Sequence, residues 1–270
     1  MKKTLLISVF AVFCLTEFSF CKKENVENSS HSLAIEENKT LENNDYFDFL
    51  PKKSKNQIVK HDFYTLSYNE KYEQADWVAY VLKESYIKYN SFKRPFFTDD
   101  KMVSTHSADW KNYKNSGYDK GHLCPAGDMK FSKKAYYDTF LTSNVSPQKH
   151  NFNDGVWNRL EEKVRYWATK YEKVYVVSGG ILNENLKTIG YEKVAVPNYF
   201  YKIIARGNSN DMKMIAFLIP HQESNQPLYK FVVSVDKIEE LSKQDFFPKL
   251  NDILENKVEK SSDYKDWSFN

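Results

Sequence analysis

The residues whose types and spacing suggest a chemical role lie between positions 117 and 165. The first of them is His122, which ends the run Asp-Lys-Gly-His. Because imidazole loses its proton near neutral pH, a histidine can act as a general base. Lys120 in the same run could hold a phosphate oxygen. A single histidine in such a run is more often an ordinary core or surface residue, so this motif alone assigns no role.

Three more polar residues, Asn144, Asn153 and Glu161, follow His122 and offer oxygen atoms of the kind that magnesium prefers. If the helix predicted there is regular, the eight residues from Asn153 to Glu161 rise about 12 Å. Glu161 would then reach a metal-bound water rather than the metal itself. Taken one at a time, these residues also fit a turn, a helix N-terminus and a surface ion pair between Glu161 and Arg165.

The charge of the chain is distributed unevenly. The whole sequence carries a formal net charge of only +3 over 270 residues. Residues 111–170 contain 11 basic and 6 acidic side chains, whereas residues 236–266 contain 6 basic and 9 acidic ones. The basic excess therefore coincides with the polar motifs, as binding to a phosphate backbone requires. The 3 cysteines and the single apolar run exclude a disulfide-rich scaffold and a polytopic membrane protein.

Four motifs occur in a specific order along the chain. They are Asp-Lys-Gly-His at residues 119–122, Ser-Asn-Val-Ser-Pro-Gln at residues 143–148, Asn153, and Asn-Arg-Leu-Glu at residues 158–161. In this order and spacing they resemble the signature of the DNA/RNA non-specific endonucleases, which are ββα-metal nucleases. The resemblance covers residues 60–250. It implies an α+β fold in which helices flank a central, mostly antiparallel sheet.

The resemblance also implies a role for each matching residue. His122 matches the general base that activates water, and Asn144 matches the asparagine that helps to orient the base and the water. Asn153 matches the single protein ligand of a catalytic Mg²⁺, for which Mn²⁺ could substitute, and Glu161 matches the acid that hydrogen-bonds metal-bound water. DNA and RNA would be cut through contacts with the phosphate backbone, without sequence preference, and the products would carry 5′-phosphates.

Three cations complete the expected site. Arg94 and Arg165 match phosphate-binding arginines of the family. Lys120 stands where the family usually has arginine, and lysine keeps the charge but loses the bidentate fork. This departure leaves one alternative open, a nuclease-like surface lipoprotein that binds nucleic acid without cutting it. A phosphodiesterase for small nucleotides, which would differ only in its groove, is a further alternative. No feature of the sequence indicates whether the protein is a monomer or an oligomer.

Helices and strands together are expected to position these residues, which gives an α+β class. Residues 61–68 alternate loosely between apolar and polar side chains and predict one strand, and residues 76–87 are apolar nearly throughout and predict a second, well buried strand. Three more strands are predicted at residues 173–182, 193–206 and 212–220, where runs of Val, Ile, Phe and Tyr end at Gly or Pro. The clearest helix covers residues 153–171, where apolar residues recur every three or four positions and Asp154 could cap the start. A shorter helix with Ser132 as its cap is predicted over residues 132–140, and helical pieces are predicted within residues 235–258.

The first 57 residues are expected to precede a nuclease domain that runs from 58 to 270. Residues 1–21 combine Lys2 and Lys3 with an apolar run, which is typical of an export signal. A periplasmic, extracellular or outer-membrane location is therefore expected. Cys21 resembles a lipoprotein junction that would attach the chain to a membrane, but Phe20 stands where a small residue is usual, so ordinary cleavage stays open. Residues 22–57 are predicted to be a polar tether. Its one apolar cluster, residues 45–50, could dock on the domain or be part of the linker, and we favour the linker.

Overall fold

The computed structural model of the protein describes residues 48–52 and 55–269. The predicted export signal, Cys21 and the tether up to residue 47 lie outside these residues. Within the described part of the chain, every helix is too short or too polar to cross a membrane.

The described residues form eleven β-strands and four α-helices. The strands are β1 (Gln57–Lys60), β2 (Tyr64–Asn69), β3 (Gln74–Lys83), β4 (Asp119–His122), β5 (Val145–Gln148), β6 (Lys173–Gly180), β7 (Thr188–Ile189), β8 (Val194–Ala195), β9 (Tyr199–Arg206), β10 (Lys213–Pro220) and β11 (Val232–Val233). The helices are α1 (Lys133–Asp138), α2 (Asn158–Lys170), α3 (Val235–Ser242) and α4 (Asp252–Glu259), and a π-helical turn (Phe152–Trp157) runs directly into α2. Short 3₁₀ helices lie at Glu84–Tyr86, Trp110–Tyr113, Ala126–Met129, Thr142–Asn144 and Leu228–Phe231.

Seven of the strands form one sheet in the order β1-β2-β3-β6-β9-β10-β11. Every neighbouring pair in this sheet is antiparallel. Two small ribbons, β4 with β5 and β7 with β8, lie outside it. The predicted fold class, an α+β fold with a central antiparallel sheet, is confirmed.

Helices cover both faces of the central sheet. Because side chains alternate along a strand, Tyr80 of β3 belongs to the core that contains Trp167 of α2, whereas Trp77 belongs to the core that contains Ile238 of α3. A strand that is buried on both faces reads as a continuous apolar run. This explains why residues 76–87 show no alternation in the sequence.

The five strands predicted from the sequence are present, and four of them have boundaries shifted by at most four residues. The exception is the segment 193–206, which was predicted as one strand and forms both β8 and β9. Pro197 lies between these two strands, and a proline has no N–H to donate to a ladder. The strands β4 and β5, which carry the first two motifs, were not predicted.

The helix predicted over residues 153–171 is regular only from Asn158 onward. The preceding turn is π-helical, and Gly155 within it has φ −98° and ψ −109°, outside the helical region. The prediction that Asp154 caps the start of a helix is therefore wrong, because this residue lies inside the turn and no side chain caps it. At α1, Ser132 is the cap, as predicted.

The interpretation of residues 45–50 as linker is wrong for Phe49. The side chain of Phe49 is only 4% exposed, and its ring centroid lies 4.9 Å from that of Tyr175 on β6. Pro51 is buried as well, and β1 begins at Gln57. The packed part of the chain therefore starts before residue 58, because an aromatic side chain of this size is stabilised by burial against the sheet.

Candidate active site

The ribbon of β4 and β5 brings the first two motifs together. His122 pairs with Val145 and Gly121 pairs with Ser146. A Cβ atom on Gly121 would lie 2.1 Å from Oε1 of Gln148, so a larger residue would displace that buried side chain. The glycine of the first motif thus allows β4 and β5 to lie together next to His122.

Asn144 is fully buried and binds the backbone that follows His122. Its Oδ1 accepts a hydrogen bond from the N–H of Cys124, and its Nδ2 donates to the carbonyl oxygens of Cys124 and Thr139, all at 2.9 Å. None of these partners is the imidazole. Asn144 therefore acts on the histidine through the chain that carries it rather than by direct contact.

The π-helical turn presents Asn153 beside the start of β4. The Nδ2 of Asn153 donates to Oδ2 of Asp119 at 3.1 Å, and the same oxygen lies 2.9 Å from Nδ1 of His150. Irregular helical turns of this kind are frequent at functional sites. Asp119 was not among the residues predicted from the sequence, although it is the first residue of the Asp-Lys-Gly-His motif.

One cavity of about 340 Å³ gathers most of the predicted site. Five predicted residues line it: Arg94, His122, Asn153, Glu161 and Arg165. Asn153 and Glu161 share this wall although eight residues separate them. The regular helix that would have held them about 12 Å apart is replaced by the π-helical turn over part of that distance.

His122 lies between aromatic rings on the wall of this cavity. Its ring centroid is 5.4 Å from that of Phe97 and 5.0 Å from that of Phe140. Burial, together with the positive charge of Arg94, lowers the pKa of His122 to about 3. The imidazole is therefore neutral at physiological pH and has a nitrogen that can accept a proton. Nε2 is enclosed and has no hydrogen-bond partner among the described residues, which leaves Nδ1 to face the cavity.

Arg165 is held on the cavity wall by a buried carboxylate. Its Nη1 donates to Oδ1 of Asp128 at 2.8 Å, and the other oxygen of Asp128 accepts a hydrogen bond of 2.8 Å from the Tyr80 hydroxyl. Asp128 itself is fully buried. The surface ion pair between Glu161 and Arg165 that the sequence left open is not formed, because the guanidinium pairs with Asp128 instead.

Lys202 of β9 lies fully buried near the cavity and was not predicted. Its Nζ donates to Oγ of Ser178 at 3.1 Å and lies 4.6 Å from the centroid of the Trp157 ring. Burial raises the pKa of Glu161 to about 7, and the positive charge of Lys202 opposes this rise. Lysine is rarely buried without a charged partner. A lysine at an inward position of the apolar segment 193–206 could therefore have indicated from the sequence that Lys202 pairs with a buried acid.

Lys120 is not part of the wall of this cavity. Its Nζ lies 5.3 Å from the centroid of the Phe97 ring and 5.5 Å from that of Tyr113, and burial lowers its pKa. The structure therefore brings five of the seven predicted residues to one cavity. It places Asn144 against the backbone next to that cavity and Lys120 against Phe97, the ring that also contacts His122.

The oxygen donors at the cavity fit a hard divalent cation. The Nδ2 of Asn153 donates its hydrogen bond to Asp119, so the Oδ1 of Asn153 remains available to bind a cation. Glu161 adds a carboxylate to the same wall. Magnesium binds oxygen ligands, takes few groups from a protein and keeps several waters. One amide oxygen and a nearby carboxylate are sufficient for such an ion.

Comparison with known proteins identifies relatives over most of the chain. A profile of the DNA/RNA non-specific endonucleases matches residues 45–253. The human mitochondrial nuclease EXOG is 34% identical over 206 residues, which make up 70% of this chain and 56% of EXOG. Human mitochondrial endonuclease G is 31% identical over 209 residues, which make up 72% of this chain and 70% of endonuclease G. The matched region thus spans little more than half the length of EXOG.

A solved structure shows the same fold. EndoG in its complex with EndoGI matches with a TM-score of 0.67 and 29% sequence identity, over 73% of this chain and 88% of that chain. Sequence profile, relatives and fold agree, and the residues that the profile matches include all four motifs. The chain belongs to the DNA/RNA non-specific endonuclease family, a family of metal-dependent nucleases.

Proposed function

We propose that the protein is a magnesium-dependent endonuclease that hydrolyses phosphodiester bonds of DNA and RNA without sequence preference. The observation that carries this proposal is the cavity lined by His122, Asn153, Glu161, Arg94 and Arg165. It combines a neutral imidazole, oxygen donors for a cation and two guanidinium groups. Membership of the family supports the same class of reaction.

His122 is the proposed general base. Its Nδ1 would take a proton from a water that lies in line with the scissile phosphorus. Asn144 supports this role by holding the backbone at Cys124. The pKa of about 3 makes the imidazole a weak base in the free protein. A phosphodiester anion beside the ring raises this pKa, because a negative charge favours the imidazolium form.

Asn153 is the proposed ligand of Mg²⁺, and Mn²⁺ could take its place. Asp119 orients the amide, and Glu161 would accept hydrogen bonds from waters around the ion. When bound, such a cation neutralises the charge that develops on the phosphoryl and leaving oxygens. The guanidinium groups of Arg94 and Arg165 would hold the phosphate oxygens, and hydrolysis would leave 5′-phosphate ends.

A second cavity of about 360 Å³ supports a polymeric substrate. It shares Gly127, Lys130 and Arg165 with the first cavity, and Lys88 and the exposed Tyr89 also line it. Cations in two adjoining cavities can contact successive phosphates of one strand. Contacts to phosphate read no base, which is consistent with cleavage of both DNA and RNA at many sequences.

Digestion of plasmid DNA and of RNA by the purified protein tests this proposal. The wild-type protein should digest both with Mg²⁺ and stop when a chelator is added. His122→Ala should lose activity by a factor of about 10²–10⁴, the usual contribution of a general base. The matched control is His106→Ala, since His106 is exposed and pairs with Asp99 rather than lining the cavity. Undiminished digestion by His122→Ala would refute the assigned base.

The same assay separates the two alternatives. Tight retention of DNA with no cleavage under any divalent cation would favour a nuclease-like protein that binds without cutting. That alternative is motivated by Lys120, which stands where the family usually has arginine. Faster hydrolysis of a dinucleotide than of a polymer would favour the phosphodiesterase. Dephosphorylation and relabelling of the products would show whether the phosphate stays on the 5′ end.

Export is a proposal that rests on residues 1–21. The two lysines and the apolar run support a signal peptide, and Cys21 supports lipid attachment as one outcome. Mass spectrometry of the mature N-terminus distinguishes a diacylated cysteine from simple cleavage. The same measurement gives the length of the tether that precedes the packed domain.

A further inference from the structure

An acidic cluster lies where α3 meets α4, away from the residues that line the catalytic cavity. Asp236 and Glu239 stand three residues apart at the start of α3, and Glu259 is the last residue of α4. One carboxylate oxygen from each of the three lies within 4.8 Å of the others. Three carboxylates at this separation repel one another unless a cation or a proton lies between them.

Glu259 is a buried member of this cluster, and one of its carboxylate oxygens has no hydrogen-bond partner among the described residues. Its side chain belongs to the buried part of the structure and is only 6% exposed. Its Oε1 has no hydrogen-bond partner among the described residues. A buried carboxylate oxygen without a donor is costly, so this oxygen requires a ligand or a proton.

The surrounding charges do not compensate for Glu259. Burial and the carboxylates of Glu239 and Glu255 raise its pKa to about 9. Two lysines of this region are paired with other acids: Lys52 Nζ lies 3.1 Å from Asp245, and Lys237 Nζ donates to Glu240 at 2.7 Å.

The other members of the cluster are fixed by the fold. Oε1 of Glu239 accepts a hydrogen bond of 2.7 Å from the N–H of Phe246, whose ring is fully buried. Asp236 lies in the first turn of α3, two residues after the cap Ser234. The cluster therefore has a preformed geometry on α3, and Glu259 approaches it from α4.

We propose that Asp236, Glu239 and Glu259 form a second cation site, which binds a hard divalent cation of the calcium class and ties α4 to α3. Calcium accepts six to eight oxygens in flexible geometry, and carboxylates bind it through one or both oxygens. Magnesium demands near-ideal octahedral geometry and gives up its waters reluctantly. A site of three carboxylates from two helices therefore favours calcium. Its role is structural, because no residue of this cluster lines the catalytic cavity.

Thermal unfolding of the full chain tests the site without any assay of nuclease activity. After treatment with a chelator, calcium should raise the Tm of the wild-type protein by about 5 °C at a concentration a hundred times the Kd. Glu259→Gln should abolish this calcium-dependent increase. Glu255→Gln is the matched control, because Glu255 lies on the same helix but is not one of the three ligands, and it should keep the increase.

Asn153→Ala separates this site from the catalytic one. It removes the proposed magnesium ligand, and the calcium-dependent rise in Tm should persist. If calcium leaves the wild-type Tm unchanged, or if the rise survives in Glu259→Gln, the proposal is overturned. A rise that disappears in Asn153→Ala assigns the effect to the catalytic cavity and likewise overturns it. Should Glu259→Gln fail to fold, Asp236→Asn makes the same comparison from α3.

Discussion

The Nδ2 of Asn153 donates a hydrogen bond of 3.1 Å to Oδ2 of Asp119 and so joins the π-helical turn to the first residue of β4. This bond determines which end of the Asn153 amide remains available to a cation. It also connects two of the motifs through a residue to which the sequence assigned no role.

Asp119→Ala should weaken the response to Mg²⁺. Without its partner the Asn153 amide can rotate, and loss of such a supporting hydrogen bond typically costs 10–100-fold in metal affinity. We expect half-maximal cleavage of plasmid DNA at a Mg²⁺ concentration about 10–100 times higher. Asp154→Ala is the control, since Asp154 is exposed on the same turn. An unchanged Mg²⁺ titration of Asp119→Ala would contradict this role.

Lys120→Met should reduce the cleavage rate less than Arg165→Met. Lys120 lies against Phe97 and Tyr113, whereas the guanidinium of Arg165 lines the cavity. Loss of a cation that contacts the phosphate should lower kcat by about 10²–10³-fold, and loss of Lys120 by less than about tenfold. Initial rates of plasmid cleavage by the Lys120→Met and Arg165→Met variants measure the two losses. An equal loss in both variants would place Lys120 at the phosphate.

Arg94→Gln should raise the pKa of His122. The charge of Arg94 is one of the two causes that lower this pKa, and its removal makes the imidazolium less unfavourable. An NMR titration of the His122 ring in the free protein measures the shift. Binding of DNA should also become less sensitive to salt, with the slope reduced by about one. A downward shift of the His122 pKa would contradict the assigned interaction.

Asn144→Ala should destabilise the protein. It leaves the N–H and carbonyl of Cys124 without side-chain partners in a buried position, at a cost of about 1–3 kcal/mol. Urea unfolding measures the loss. Asn256→Ala serves as control, because Asn256 is an exposed residue of α4. If Asn144→Ala keeps full stability but loses activity, Asn144 contacts water or substrate directly.

Asp100→Asn should destabilise the protein at neutral pH but not in acid. Burial raises the pKa of Asp100, but hydrogen bonds with His61 and Ser143 outweigh it, and the net pKa is lowered. A carboxyl group with a lowered pKa adds stability above its unfolded pKa, and this stability is lost as the pH falls through the folded pKa. We expect about 2 kcal/mol at pH 7.

The difference between Asp100→Asn and the wild-type protein should shrink toward zero as the pH falls through the lowered folded-state pKa of Asp100. Asp99→Asn is the neighbouring control, since Asp99 pairs with the exposed His106. Urea denaturation curves at a series of pH values give the comparison. A difference that stays constant down to acidic pH would show that the charge of Asp100 contributes nothing.

Much of the fold was accessible from the sequence. Segments rich in apolar and β-branched residues predicted β2, β3, β6, β9 and β10, because burial on a sheet selects these residues locally. The short strands β4 and β5 carry polar motif residues and show no such pattern. Their pairing depends on the fit of Gly121 against Gln148, a contact between residues that are far apart in the chain.

The order and spacing of four motifs were enough to indicate the family and to name three of the residues that line the cavity, His122, Asn153 and Glu161. Such motifs are local, so His122, Asn153 and Glu161 could be named without a structure. The π-helical turn could not be predicted, since its hydrogen-bond register depends on how Phe152 and Trp157 pack in the core. That turn is what places Asn153 and Glu161 on one wall.

Only the tertiary structure decided which charges act together. Asp128 comes from a 3₁₀ turn and Lys202 from β9, and both meet α2 through the core rather than through the sequence. Lys120 keeps its place in a motif but is drawn to two rings beside the cavity. A motif specifies side chains at fixed positions in the chain, whereas burial and the neighbours of each group, which set its charge and pKa, arise from residues brought together by folding.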